Sequence, residues 1–221
     1  MSLVLASASP RRREILGRLG LPFAVEPSAL EEETPGGVVE PAVLAQELAL
    51  AKAQKVAARW PGAIIVAADT LVVDGGDILG KPRDATGGPQ ARGGRVLEDA
   101  AAMLRRLRGR EHRVVTGVAV VEPGGHRTAA LVSRVFMRPY SEEEIAAYVA
   151  SGAPLDKAGA YGIQDAFQPA AACHGCYLNV VGLPLCALVE LLRPLGLPIP
   201  EGLVSQDPTT CPQCRGFSEG A

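Results

Sequence analysis

The sequence predicts an α/β fold, and three observations carry that prediction. Short apolar, β-branched stretches alternate with longer segments whose apolar residues recur at helical spacing. The 221 residues leave room for one large domain, or one domain with an appendage. Hydrophobic residues make up 48% and charged residues 21%, which is globular usage and excludes a disordered chain or a fibre.

Residues 3–6 form a short buried strand, broken by Ser7-Ala8-Ser9-Pro10. A helix follows to about residue 19, with Ser9 as N-cap, Pro10 in the first helical position, and Gly20 as the stop. Residues 22–26 suit a second strand, and Glu31, Glu32 and Glu33 lie in a loop closed by Pro35-Gly36-Gly37. Pro41 opens a long helix to about residue 59, with Leu44, Leu48, Ala51 and Val56 near helical spacing. Residues 64–68 have the character of a central strand, ending at Asp69-Thr70, with a further stretch at 71–73. Asp74-Gly75-Gly76-Asp77 reads as a hairpin turn.

Residues 86–95 hold four glycines and a proline and form a flexible insert before a helix over 96–107. Long strands over 114–121 and 129–137 pair through Pro123-Gly124-Gly125. Ser141 and Glu144 make a capping box for a helix to about residue 150. A glycine-punctuated loop (154–164), a strand (177–181) and a helix (183–192) complete residues 1–194. Residues 195–221 form a Pro/Gly-rich tail with a cysteine pair.

Lys and Arg total 22 against 24 Asp and Glu, so a broadly basic nucleic-acid surface is disfavoured and only a local basic pocket remains. The longest apolar run, residues 63–68, is far below the ~20 residues of a membrane helix. In MSLVLASASPRRR the charges follow the apolar stretch, the reverse of a signal peptide, which points to a cytoplasmic protein. Its five cysteines are then expected as thiols or metal ligands rather than disulfides.

Four segments could carry chemistry. Ser7-Ala8-Ser9-Pro10-Arg11-Arg12-Arg13 places three arginines at a helix N-terminus, where the dipole is already positive. Amides, hydroxyls and guanidinium forks there suit a phosphate, against the alternative of a solvated face. Asp69-Thr70, at the end of an apolar strand, offers a carboxylate for Mg²⁺ or for a proton from water, or simply caps a turn. Lys81 sits beside a rigid proline in Gly80-Lys81-Pro82-Arg83-Asp84, and Lys52 lies on the long helix; a compact ammonium suits phosphate. Gln164, on a glycine-rich loop, can read a base edge. Neither G-x-x-x-x-G-K-[ST] nor G-x-G-x-x-G is present.

In this order, LASASPRRREIL, AADTLVV, GKPRD, PLDKAGAYGIQ and NVVGLPL resemble the Maf family of nucleoside triphosphate pyrophosphatases, over about residues 3–193. The resemblance implies an elongated α/β domain with a mixed sheet and a central cleft. It also implies hydrolysis of nucleoside triphosphates to monophosphate and pyrophosphate, a divalent cation (Mg²⁺ or Mn²⁺), and a homodimer. By resemblance Asp69 is the proton acceptor, and Ser7, Arg12, Lys52 and Lys81 handle phosphate. Glu32 and Asp69 are candidates for the metal, while Arg11, Thr70 and Gln164 set specificity. Those three match the dTTP/UTP branch rather than the 7-methylguanosine triphosphate branch. A non-catalytic regulator or nucleic-acid-binding protein is the rival from another class.

The chain departs from the family pattern in three places. About a dozen extra residues follow Asp84, a flap or a surface loop. After Gly162-Ile163-Gln164 the chain continues Asp165-Ala166-Phe167 where the family usually has Gly-Leu-Gly. Cys173 and Cys176, with Cys211 and Cys214, form two C-x-x-C pairs separated by 34 residues, which could hold a structural Zn²⁺ or remain reduced thiols. Separately, Arg105, Arg106, Arg108, Arg110 and Arg113 cluster late in a helix and beyond it, where cations complement the dipole.

Overall fold

The computed structural model describes residues 1–28, 40–83 and 94–205. In chain order β1 (Leu3–Leu5), α1 (Pro10–Gly17), β2 (Phe23–Val25), α2 (Pro41–Ala57), β3 (Ile64–Asp74) and β4 (Asp77–Leu79) form the first part. There follow α3 (Gly94–Leu107), β5 (Glu111–Glu122), β6 (Gly125–Met137), α4 (Glu142–Ala150), β7 (Ala170–His174), α5 (Tyr177–Val181) and α6 (Leu185–Leu192). The strands make one seven-stranded mixed sheet in the order β2-β1-β3-β5-β6-β7, with β4 also paired to β3. The α/β expectation holds, and so do the helix starts. Ser9 caps α1 by accepting from the Arg12 amide, Glu40 caps α2 through the Ala42 and Val43 amides, and Ser141 and Glu144 complete both halves of the capping box.

Three segments differ from expectation, one being residues 170–174, for which the sequence predicts no element and which form β7. Residues 177–181, read as a strand, are helix α5, which starts after Cys176 and is closed by Gly182 at φ 120°. A five-residue, mostly apolar run has no period that separates strand from helix. The stretches at 64–68 and 71–73 are one strand: β3 runs through Asp69 and Thr70 without a break.

One edge of β3 is covered by β5 from Ile65 to Val73. The other edge is divided. β1 pairs in parallel with Ile64, Ile65 and Val66, and β4 pairs antiparallel with Val72, Val73 and Asp74. No described strand lies against residues 67–71 on that side, and Asp69 and Thr70 fall in the interval.

The two faces of the sheet are clothed unequally. Leu5, Ile64, Val66, Ala68, Val72 and Val118 join the large core with residues of α1, α3, α4, α5 and α6. On the opposite face Val4, Ala6, Ile65, Ala67 and Ala119 meet Ala49, Ala53 and Val56 of α2. α2 sits very close at one point: a Cβ on Gly117 of β5 would lie 2.1 Å from the carbonyl oxygen of Ala45. Leu195, Leu197, Ile199, Leu203 and Val204, at the start of the expected tail, pack against the large core.

Cys173 and Cys176 are buried in that core. Cys211 and Cys214 lie outside the described residues, as do Glu32 and most of the 86–95 insert. The arginine cluster braces neighbouring elements. Arg105 and Arg108 pair with Glu142 at 2.8 and 2.9 Å, and Arg106 pairs with Asp74 at 2.6 Å and Asp77 at 2.8 Å. Among the described residues no helix is long and apolar enough to cross a membrane.

Candidate active site

A cleft of about 430 Å³ opens at the interval in the β3 edge. Its walls come from the turn after β1 and the start of α1, from α2, from the middle of β3, from the segment after β4, and from the loop before β7. Ser7, Arg11, Arg12, Lys52, Asp69, Thr70, Lys81 and Gln164 all line it. Every candidate side chain for phosphate or specificity thus faces one hollow, although these residues are up to about 160 positions apart in sequence.

On the α2 face, Lys52 Nζ donates to Asp69 Oδ1. Both side chains are almost fully buried, at 6% and 5% exposure. Each charge offsets the desolvation of the other, and removing either would leave a buried ion without that partner. The contact occupies one carboxylate oxygen, and a carboxylate can accept several hydrogen bonds.

Thr70 points to the opposite face, where a directed chain of hydrogen bonds fixes Arg12. Arg12 Nη2 donates to Thr70 Oγ1 at 3.2 Å, and Nε donates to the Gly182 carbonyl at 2.8 Å. Thr116 donates its hydroxyl to the Asn179 carbonyl at 2.8 Å, so the 3.0 Å contact between the two threonines runs from Thr70 to Thr116. Arg12 Nη1 also lies 3.4 Å from Ser7 Oγ. A guanidinium held at three points loses little further freedom on meeting an anion.

The loop before β7 is tied to the segment after β4, because the Gly159 amide donates to the Gly80 carbonyl at 3.0 Å. Lys81 and Gln164 are exposed where these segments border the cleft. Arg11 reaches Asp156 at 3.5 Å on the rim. Burial opposes ionisation of Asp156, but Lys157 and Arg11 outweigh it and hold its carboxyl below the usual value. Tyr161, a further lining residue, is bound to His112 Nε2 at 2.7 Å. Burial raises the Tyr161 phenol well above its usual value and lowers His112 to about 4, although Asp74 pulls the imidazole the other way.

The family model for Maf-like protein matches residues 2–195. The chain belongs to the Maf family. A relative from Thermomicrobium roseum, named dTTP/UTP pyrophosphatase, is 46% identical over 215 residues, covering 97% of this chain and 93% of that protein. Relatives of the same name from Moorella thermoacetica and Salinibacter ruber are 48% and 47% identical, covering 89% and 86% of this chain and 96% and 89% of their own lengths.

In this Maf-family chain no group of three or more His, Cys, Asp or Glu residues is gathered for a metal among the described residues. Among the described residues the carboxylates bordering the cleft are Asp69 and Asp156. That donor set fits Mg²⁺, which commonly binds through one or two carboxylates with substrate phosphates and water. Lys157 and Arg83 also line the Maf cleft without having been singled out from sequence. Both stood inside the quoted motifs, so the signal was present. Thr116, which receives the Thr70 hydroxyl, carried no sequence signal, whereas Asn179, whose carbonyl Thr116 bonds in turn, opens the quoted NVVGLPL.

Proposed function

We propose that the cleft hydrolyses dTTP and UTP to the monophosphate and pyrophosphate. The observation that carries this reading is the buried Asp69 sharing one hollow with Lys52, Arg12, Lys81 and Ser7. The names of relatives at 46–48% identity support the choice of base.

On this reading Arg12 and Lys81 bind the triphosphate, with the Ser7 hydroxyl beside Arg12. Asp69 accepts a proton from water as the water oxygen attacks the α-phosphorus in line. The bond from that phosphorus to its bridging oxygen breaks, and pyrophosphate leaves. Lys52 holds the Asp69 carboxylate in place and compensates its buried charge. A divalent cation held by Asp69, and by Glu32 if it reaches the cleft, would neutralise phosphate charge when bound. Catalysis is then mostly positioning plus electrostatics. Arg11, Thr70 and Gln164 surround the base end, and Thr70 acts partly through the arginine it holds.

The test is pyrophosphate release across a panel of triphosphates, including 7-methylguanosine triphosphate, with and without Mg²⁺ or Mn²⁺. dTTP and UTP should lead the panel, and no turnover of either overturns the reading. The family resemblance brings a homodimer with it, and a solution mass of two chains checks it.

A further inference from the structure

Gln164 borders the cleft, and its amide is not left to choose its orientation. Gln164 Nε2 donates to Asp165 Oδ1 at 3.3 Å. An ionised carboxylate only accepts, so the flipped amide would set its oxygen against another acceptor.

The carboxylate is itself well held. Tyr148 donates its hydroxyl to Asp165 Oδ2 at 2.5 Å, and Lys157 Nζ lies 3.4 Å from the same oxygen. The Asp165 amide closes a turn onto the Gly162 carbonyl at 3.1 Å. A Cβ on Gly162 would meet Asp165 Oδ1 at 2.5 Å, so the carboxylate tucks into space that only glycine leaves. Phe167 stacks on the Tyr148 ring at 4.3 Å and supports it from the other side.

We propose that Asp165 is a positioning residue for base choice: by taking the Gln164 amide hydrogen it turns the Gln164 carbonyl oxygen toward the cleft as a fixed acceptor. Uracil and thymine carry an imide N3–H that such an acceptor binds. Cytosine has an unprotonated N3 in its place, and two acceptors would face each other. The inference rests on the proposed pyrophosphatase reading and deepens it, because Asp165 never touches the substrate and acts through Gln164. It also gives a role to the position where the chain replaces glycine by aspartate.

The experiment measures kcat and KM of the full chain on UTP, dTTP, CTP and N3-methyl-UTP, for wild type, Asp165→Asn and Asp165→Ala. Wild type should favour UTP over both CTP and N3-methyl-UTP. Asp165→Ala removes the acceptor and frees the Gln164 amide to rotate, so the UTP-to-CTP ratio of kcat/KM should fall about tenfold or more, the worth of one charge-assisted hydrogen bond, while Asp165→Asn, whose amide can meet Gln164 with its oxygen or its nitrogen, should fall less. A purely structural role would lower both substrates together. A ratio within about twofold of wild type in both variants overturns the inference. So do equal wild-type rates on UTP and N3-methyl-UTP, a result that needs no variant to fold. A wild-type protein that hydrolyses UTP yet gives either result leaves the pyrophosphatase reading standing. One that hydrolyses no triphosphate removes both.

Discussion

Replacing Gly117 by alanine is expected to damage the active site by displacing a helix. Gly117 pairs with Asp69 across the sheet, so a Cβ there would stand next to the acid on the α2 face. It would lie 2.1 Å from the Ala45 carbonyl oxygen, 2.2 Å from the Ala45 carbonyl carbon and 2.5 Å from the Gln46 nitrogen. All three atoms are helix backbone, which cannot turn aside as a flexible side chain would. Ordinary contact begins at 3.4 Å, so α2 must retreat by about 1 Å or the strand must buckle. Overpacking of this kind costs about 1–3 kcal/mol, a fall of roughly 2–12 °C in Tm for a chain of this length. Lys52 lies seven residues beyond Ala45, two turns along the same helix and on the same face. A retreating α2 carries the ammonium away from Asp69, and a misplacement of about 1 Å can cost about 10²-fold in turnover. Calorimetry and UTP hydrolysis on Gly117→Ala read the two effects separately. Ala45→Gly should not rescue the variant, because the clash is with backbone. A Gly117→Ala protein with unchanged Tm refutes the packing argument, and one with lowered Tm but full turnover refutes the link to Lys52.

The remaining predictions concern buried charge. Asp69→Asn should cut UTP turnover by roughly 10²–10⁴, the usual worth of a general base, and near-normal turnover rejects that role. Lys52→Met leaves the Asp69 carboxylate without its ammonium and should cost about 3–5 kcal/mol in urea unfolding. Adding Asp69→Asn to Lys52→Met should return part of that stability while activity stays low. His112 titrates near 4 when folded against 6.5 when exposed, so the unfolded chain binds the extra proton first. Its contribution is whole above pH 6.5 and is lost as pH falls toward 4, about 3 kcal/mol in all. His112→Gln, which can still bond the Tyr161 hydroxyl, should lose less Tm than wild type between pH 7 and pH 4.5.

The sequence carried what is local. Ser9, Pro10, Pro41 and the Ser141–Glu144 box mark helix starts because a cap is satisfied within a few residues. Arg12, Lys52, Asp69 and Lys81 could each be named because their charge sits in a short, unusual context. What escaped depends on distant partners. Thr70 meets Thr116, and Thr116 meets the Asn179 carbonyl, only after β3, β5 and α5 are assembled. β7 begins Ala170-Ala171-Ala172, which has no strand signature, and its place in the sheet appears only in its ladder with β6 and the contact of His174 with the Phe136 ring at 5.3 Å. Gly117 did carry a signal, since glycine inside a strand often marks a close backbone approach, but not the identity of the approaching helix.

The expectation that Asp69-Thr70 lie at the carboxyl end of a strand was right about the site and wrong about the strand. In open α/β sheets ligands sit beyond strand ends, yet β3 runs five residues past Asp69, to Asp74. The end that matters is that of β1, which stops at Leu5 and leaves the β3 edge uncovered until β4 begins. Neighbouring residues on a strand point to opposite faces, so in an unbroken sheet Asp69 and Thr70 would belong to separate layers. The interval lets one cleft reach both. The α2 face then supplies the buried Lys52–Asp69 pair, and the other face supplies Arg12 on its threonine chain. An acid and an anchored cation therefore flank one volume, from adjacent positions on a single strand, because two different strands share its edge.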